Sequence, residues 1–184
     1  VSSSNSLVGS TTDDFVGSGG YALTNGNYVI SSINWDNGAI ANAGAVSWGN
    51  GSTGTAGLVS STNSLIGSTA NDRVGASVNI GVVPVANGNY IVTTNFWDNG
   101  GVSNAGAITP GNGSAGVAGV ITSCNSVIGN SSGNGDKITF VYNSVYDYLI
   151  VNRPFENIVS IFNPTSIALA NSLDAVTLNI TGTN

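Results

Sequence analysis

The 184-residue sequence has too few of the residue types that most catalytic and binding sites need. It contains no histidine and one cysteine, which excludes Ser-His-Asp catalysis, histidine-ligated metals and thiolate zinc sites. Only three residues are Lys or Arg, against nine Asp or Glu, so the net charge is −6. Because phosphate contacts need clusters of basic side chains, the sequence argues against nucleic acid as a partner.

The sequence also lacks a membrane span, a leader pattern and methionine. No run approaches the ~20 apolar residues that a transmembrane helix needs, and no charged segment precedes an apolar one as in a signal peptide. The first residue is Val1, and together with the absence of Met this predicts a processed or excised product. Cys124 has no partner for an internal disulfide and is predicted to pack as a small apolar residue.

What the sequence does have is a long internal repeat. The stretch Asn25-Gly26-Asn27-Tyr28-Val29-Ile30 returns 62 residues later, beginning at Asn87. The stretch Trp35-Asp36-Asn37-Gly38 returns at the same offset, beginning at Trp97. Residues 1–10 match residues 59–68, with a weaker third copy at residues 121–129. Periods of this size are typical of propellers, solenoids and arrays.

These matches predict a single β-repeat domain over residues 1–184, with units of about 1–62, 63–124 and 125–184. Within the first unit, strands are predicted at residues 21–24, 28–33, 43–48 and 55–60. Asn25-Gly26 is predicted to form a type I′ hairpin turn between the first two strands. Four short antiparallel strands in each unit indicate a propeller blade. The predicted fold is all-β, a propeller-like array of about three four-stranded blades, completed by association with other chains or other repeats.

The motifs carry two resemblances. The order Asn25-Gly26-Asn27-Tyr28, Trp35-Asp36-Asn37-Gly38, Gly44-Ala45-Val46 and Asn63-Ser64-Leu65-Ile66-Gly67 is similar to haemagglutinin-like repeats of very large bacterial secreted and surface proteins. More distantly, the loop from Gly67 to Gly75, with Asp72 inside it, resembles the FG-GAP blades of integrin-α-type propellers. The resemblance to repeats of secreted and surface proteins implies an extracellular or cell-surface location. Calcium-binding blades of that type carry an Asp-rich hairpin, and this hairpin is Asn-Gly-Asn, so neither a metal site nor a cofactor is expected.

The repeated Trp-Asp-Asn-Gly stretch is the candidate ligand site. Aromatic rings stack on sugars while amides and carboxylates bond hydroxyl groups, which makes glycan binding one hypothesis. The candidate residues are Trp35, Asp36, Asn37, Trp97, Asp98 and Asn99. The alternative, which is favoured, is that the two tryptophans pack between blades and that the aspartates form turns. Paired carboxylates could also support glycoside hydrolysis, but repeat-equivalent positions are poor candidates, and no catalytic residue is predicted.

The phase of the repeat predicts self-association. Residue 1 aligns with residue 59, inside the predicted fourth strand, so the chain opens partway through a blade. Open sheet edges are templates for pairing with another chain, and Val1, Leu7 and Val8 are the predicted contact residues. The favoured function is a non-enzymatic structural or adhesive module that forms an oligomer or filament. The alternatives are a glycan-binding lectin-like propeller and, third, a polysaccharide hydrolase. The expected partners are copies of itself, further repeats of a larger parent protein, or surface glycans.

Overall fold

The computed structural model describes residues 2–162 and the backbone of residues 176–178. The described residues form short β-strands and two single-turn 3-10 helices, Asn134–Asp136 and Pro154–Glu156. None of their helices is long and apolar enough to cross a membrane. The strands are β1 Leu7–Val8, β2 Gly19–Ala22, β3 Tyr28–Ser32, β4 Ala45–Gly49, β5 Gly57–Leu58, β6 Ser64–Ile66, β7 Val82–Pro84, β8 Tyr90–Thr94, β9 Ala107–Gly111, β10 Gly119–Val120, β11 Val127–Ile128, β12 Thr139–Asn143, β13 Tyr148–Arg153, β14 Ile158–Phe162 and β15 Val176–Leu178.

Three blades of four antiparallel strands follow one another along the chain, and the sheet of the first blade has β10 as an additional fifth strand. The first blade is β2-β3-β4-β6, the second is β7-β8-β9-β11, and the third is β12-β13-β14-β15. In each blade the first three strands are consecutive in the chain, and the fourth lies beside the third. The prediction of an all-β fold is therefore confirmed, and the sheets are consistent with a propeller-like array of blades.

The fourth strand of the first blade is not the predicted one. Residues 55–60 were expected to fill this place, but β5 leaves the sheet and pairs in parallel with β1. The outer strand is β6 instead, which pairs with β4. Gly54 and Gly57 have positive φ values of 77° and 118°, which turn the chain away from β4. The hydroxyl groups of Ser47 and Ser64 are 2.6 Å apart and join β4 to β6.

Sequence repeats and structural blades are therefore out of phase. Strand β10 pairs in parallel with β6, just as β5 pairs with β1. In the second repeat, the first and last strands, β6 and β10, lie at the outer edge of the first blade, and the three strands between them belong to the second blade. In the first repeat, β1 and β5 are the first and last strands, and the three strands between them belong to the first blade. The pair of strands β1 and β5, called the half-blade below, corresponds to the pair β6 and β10 at the outer edge of the first blade.

The hairpin at Asn25-Gly26 is present, but its predicted turn type is wrong. The N–H of Gly26 donates to Leu23 O at 3.1 Å, and the N–H of Leu23 donates to Asn27 O at 2.8 Å. Among the loop residues only Gly26 has a positive φ, at 87°. This is a three-residue loop that ends in a left-handed glycine rather than a two-residue type I′ turn. The Asn25 side chain supplies the local support, since its Oδ1 accepts the N–H of Asn27 at 3.1 Å.

The core lies between blades. Each blade has a front face toward the following blade and a back face toward the preceding one, because successive side chains of a strand point to opposite sides. One cluster joins the front of the first blade to the back of the second, through Val29, Val46, Leu65, Val82, Tyr90 and Val92. A second cluster joins the front of the second blade to the back of the third, through Ile91, Ile108, Val127, Leu149, Val151 and Phe162. In a smaller cluster, Leu7 of the half-blade packs against Ala45 and Ile66 on the back of the first blade.

This packing predicts very different costs for two leucine truncations. Leu65 is fully buried at a blade junction, whereas Leu58 of the half-blade is 53% exposed. We expect Leu65→Ala to lower the free energy of unfolding by about 2–5 kcal/mol, the usual cost of a core cavity. The matched control Leu58→Ala should change it by less than about 1 kcal/mol, as for surface substitutions. Denaturant titration of both variants measures the difference, and equal losses would contradict the assignment of the core.

Candidate functional site

The Asn-Gly-Asn hairpin of the first blade forms hydrogen bonds to a loop of the second blade. Three donors converge on the carbonyl oxygen of Gly113: Asn25 Nδ2 and Asn27 Nδ2, each at 2.8 Å, and Trp48 Nε1 at 2.9 Å. The N–H of Gly113 in turn donates to Asn89 Oδ1 at 2.8 Å. A side chain at position 113 would collide with the backbone oxygen of Gly88. The motif that repeats best in the sequence is thus a joint between blades.

The next junction reuses the hairpin with a different acceptor. Asn87 occupies the position of Asn25, and its Nδ2 donates to Asp147 Oδ1 of the third blade at 2.8 Å. The hydroxyl of Tyr142 donates to the same oxygen at 2.5 Å. Burial first, and then the hydrogen bond to Asp147 and its charge, raise the pKa of Tyr142 to about 12. The phenol therefore remains a hydrogen-bond donor at neutral pH.

The two candidate sugar-stacking rings lie in the interior. Trp35 is 3% exposed and Trp97 is 5% exposed. Trp35 packs in the cluster behind the first blade with Val59 and Ile66, and Trp97 belongs to the cluster between the first and second blades. This is the placement expected from the packing alternative, because a ring that stacks on a sugar needs an open face.

The polar members of the same motif are half-buried and hold their own loops. Asp36 Oδ1 accepts the N–H of Asn42 at 2.7 Å, and the equivalent oxygen of Asp98 accepts the N–H of Asn104 at 2.7 Å. Asn37 Nδ2 lies 3.4 Å from the carbonyl oxygen of Gly67, and Asn99 Nδ2 donates to that of Gly129 at 3.1 Å. The motif thereby ties the loop after β3 to the loop after β6, and the loop after β8 to the loop after β11.

Two other carboxylates, those of Asp14 and Asp72, form hydrogen bonds to the backbone that the sequence did not predict. Asp72 is fully buried, and its oxygens accept the backbone N–H groups of Ser68 and Thr69 at 2.8 Å and of Asp98 at 3.0 Å. Asp14 is the repeat equivalent, 3% exposed, and bonds its local loop and the N–H of Asp36 in the same way. The available signal was the fixed spacing of five residues from Gly9 to Asp14 and from Gly67 to Asp72.

The pKa values of these two equivalent groups move in opposite directions. Burial opposes ionisation of Asp14, but hydrogen bonds from Thr11, Asp36 and Ser10 outweigh it and hold the pKa below its ordinary value of 3.8. The Thr11 hydroxyl is the strongest of these, at 2.6 Å. At Asp72, burial raises the pKa above the ordinary value despite three backbone donors, and the Asp98 carboxylate adds to the rise.

At the junction between the second and third blades, other residues take the place of the buried aspartate. Asn134 stands where the first two repeats have Asp14 and Asp72, and it lacks their second acceptor oxygen. Glu156 replaces it, because its Oε1 accepts the N–H of Asn130 at 2.6 Å and lies 3.3 Å from Asn134 Nδ2. The other carboxylate oxygen, Oε2, pairs with Arg153 Nη1 at 2.8 Å, and the two side chains are 7% and 12% exposed. Arg153 Nη1 also reaches the Ile128 carbonyl oxygen at 3.0 Å.

The predicted self-association residues lie at one end of the array. Leu7 and Val8 form β1, and both are half-buried. Val1 lies outside the described residues. Within residues 2–162 and 176–178, β1 pairs only with β5, so its second edge is open. The prediction that Cys124 packs as a small apolar residue is wrong, since this side chain is exposed in a turn. No group of three metal-ligating side chains occurs in the same described part.

The two aspartates predict opposite pH dependences in matched variants. A lowered folded-state pKa stabilises the fold above pH 3.8 and is lost on acidification, so the stability gap between wild type and Asp14→Asn should widen from pH 3 to 6. A raised pKa stabilises only at low pH, so the gap for Asp72→Asn should narrow over this interval. Denaturant titrations at both pH values measure the gaps, with the exposed neighbour in Asp13→Asn as control. Parallel changes in both variants would contradict this picture.

The contacts of Glu156 predict that two ion pairs contribute very differently to the free energy of unfolding. Glu156→Ala leaves Arg153 buried without its partner, which typically costs about 3–5 kcal/mol. The control is Asp136→Ala, which breaks an exposed pair with Lys137 at 3.1 Å, worth about 0–1 kcal/mol. Thermal or denaturant unfolding measures both losses. A Glu156→Ala variant as stable as Asp136→Ala would rule out the proposed role of the carboxylate.

Comparison with known proteins places the chain by its repeats. A family model described as a repeat of unknown function (DUF5650) matches residues 1–18, 22–76 and 84–138. No curated protein and no solved structure matches the chain. The matched segments contain the joints described above, including the Asn-Gly-Asn hairpins, the Trp-Asp-Asn-Gly loops and the two buried aspartates. The chain belongs to the DUF5650 family of repeats.

Proposed function

We propose that this chain is a non-enzymatic structural or adhesive module of an extracellular or cell-surface protein, and that it self-associates. The observation that carries the proposal is where the repeated side chains go. Asn25 and Asn27 bind the next blade, Asp14 and Asp72 fasten loops, and the tryptophans are buried. Binding and catalytic residues need a free functional group, whereas these amides and carboxylates are engaged in hydrogen bonds that hold blades and loops together.

Self-association is supported by the two ends of the array. Among the residues that the structure describes, one edge of the half-blade has no strand partner, and unpaired edges are sites of pairing between chains. Apolar side chains on the front of the third blade are also exposed, including Val141 at 57% and Tyr148 at 42%. The location is proposed from the resemblance to repeats of secreted and surface proteins.

The glycan-binding alternative stays a prediction for the half-exposed Asp36, Asn37, Asp98 and Asn99. It has less support than the structural role, because the rings expected to stack on sugars are buried. A glycan array on the folded protein tests it directly. Hydrolase activity has less support as well, because the repeat-equivalent carboxylates Asp14 and Asp72, and Asp36 and Asp98, all accept backbone N–H groups. Turnover on a polysaccharide panel would contradict the non-enzymatic proposal.

Self-association is measured by sedimentation velocity over a wide range of protein concentration. The exposed Cys124 could link chains by a disulfide, so the measurement uses Cys124→Thr, which restores the residue of the first repeat at Thr62. We expect species heavier than the 18.3 kDa chain, increasing with concentration. A folded 18.3 kDa monomer at every concentration would contradict the proposal.

A further inference from the structure

We propose that β1 of one copy becomes the outer strand of the third blade of a second copy, so that copies join head to tail. The inference rests on the proposed self-association and specifies the two surfaces that meet. Its first support is the behaviour of the strands equivalent to β1. Strand β6 pairs antiparallel with β4, and β11 pairs antiparallel with β9. In both cases the same repeat position is matched, Leu65 with Val46 and Val127 with Ile108.

The edge of β1 that is unpaired among the described residues is the edge through which β6 and β11 pair with β4 and β9. The N–H groups of Gly57 and Val59 donate to the carbonyl oxygens of Ser6 and Val8, both at 3.1 Å. Because backbone groups alternate sides along a strand, the N–H and C=O of Leu7 lie on the opposite edge. Leu65 pairs with Val46 of β4 in the same way, while Ile66 O accepts the N–H of Ile121, the residue after β10, at 3.3 Å. The half-blade can therefore pair, at this edge, with a strand that is equivalent to β4.

Strand β14 of the third blade is such a strand. It is third in its blade, and the pair Asn152–Val159 corresponds to Ser31–Val46 of the first blade. Val159 is paired with Leu178 of β15, in the register that Val46 has with Leu65. A β1 strand that replaced β15 would therefore set Leu7 opposite Val159 and Val8 opposite Ile158, with no change of register.

The front of the third blade has the chemistry of a face that is covered by another blade. The pair Ile150–Ile161 occupies the place of Val29–Trp48 in the first blade and Ile91–Pro110 in the second. Those front faces are packed against the following blade. The front face of the third blade adds Val141, Tyr148 and Val159, so each of its first three strands carries apolar side chains, beside the polar Thr139, Asn143 and Asn152. Apolar outer faces are unlike the polar outer surface that closes a repeat array.

The complementary surface is the back of the first blade. Leu7 of the half-blade and Val16 of the loop before β2 already pack on this back face. A third blade paired with β1 would lie with its front face toward the remaining half-exposed side chains, Tyr28 and Ile30. The contact would continue the blade-to-blade interface found twice within the chain.

The exchange replaces the three residue pairs between β14 and β15 with the two pairs that Leu7 and Val8 would form, and it increases apolar burial. Replacing β15 by β1 exchanges one outer strand for another on the same edge of β14. The net gain comes from joining the third front face to the first back face, since apolar surface is removed from water. One face of the contact differs from the other, so the association is heterologous and generates rings or filaments.

Site-specific crosslinking between two copies tests this register. Leu7→Cys and Val159→Cys are made as separate chains in the Cys124→Thr background, mixed and oxidised. Opposed residues across antiparallel strands have Cα atoms about 5.5 Å apart, within disulfide range. We expect a crosslinked heterodimer at several-fold higher yield than with Ile161→Cys, which lies on the same face two residues farther along β14. Absence of the link, or equal yields from both pairs, overturns the proposal.

Two further measurements separate the possible failures. Val8→Cys with Ile158→Cys occupies the neighbouring position of the same register, and it provides the test if Leu7→Cys does not fold. Sedimentation of the Cys124→Thr parent separates the surface from the function. Self-association without either crosslink leaves the proposed function standing and refutes the assignment of these surfaces. A parent that stays monomeric refutes both.

Discussion

Each blade of this protein is too small to bury its own apolar faces. Its longest strands have five or six residues, and both sides of the second blade carry buried side chains, Tyr90 and Val92 behind and Ile91 and Ile108 in front. A single sheet cannot remove both sides from water, so a blade needs a neighbour on each face. The stacking of blades, the loops that join them and the exposed ends of the array all follow from this requirement.

Many polar groups at the junctions form hydrogen bonds where the apolar faces meet, although the indole Nε1 atoms of Trp35 and Trp97 have no partner among the described residues. A sequence almost free of basic residues forms these hydrogen bonds with amides, carboxylates and backbone N–H groups. Asp72 links two loops through three N–H donors, and Gly113 receives three side-chain donors from the first blade. Where Asn134 interrupts the pattern, Glu156 and Arg153 arrive from a different part of the chain. The geometry of the junction is retained although the residues differ.

Much of the fold could be predicted from spacing alone. The offset of 62 residues gave the repeat, and the β-rich composition with its Asn-Gly turns gave short antiparallel strands. The outer strand could not be placed by local pattern, because residues 55–60 and 64–66 are both apolar enough and only pairing over distance distinguishes them. The turn type at Asn25-Gly26 failed for a related reason, since the same dipeptide also suits a three-residue loop.

The position of the candidate site was predictable, and so was the packing of its two tryptophans, which are buried as the favoured alternative expected. The hydrogen bonds that link its loops to neighbouring blades were not predictable, because no local signal reports them. Asp14 and Asp72 were visible as equivalents, but their hydrogen bonds involve backbone N–H groups up to 26 residues away. The contribution of Glu156 could not be anticipated, because it compensates for a substitution in a different loop.

The mismatch between repeats and blades has a consequence for how the chain unfolds. A repeat cut at its sequence boundaries would hold three strands of one blade and two of another, and it could complete neither. Opening one repeat therefore strips the outer strands from the preceding blade while it dissolves its own. Stability in such an array is shared beyond the contact between adjacent faces, which makes the unfolding transition sharper than that of a simple stack of independent units.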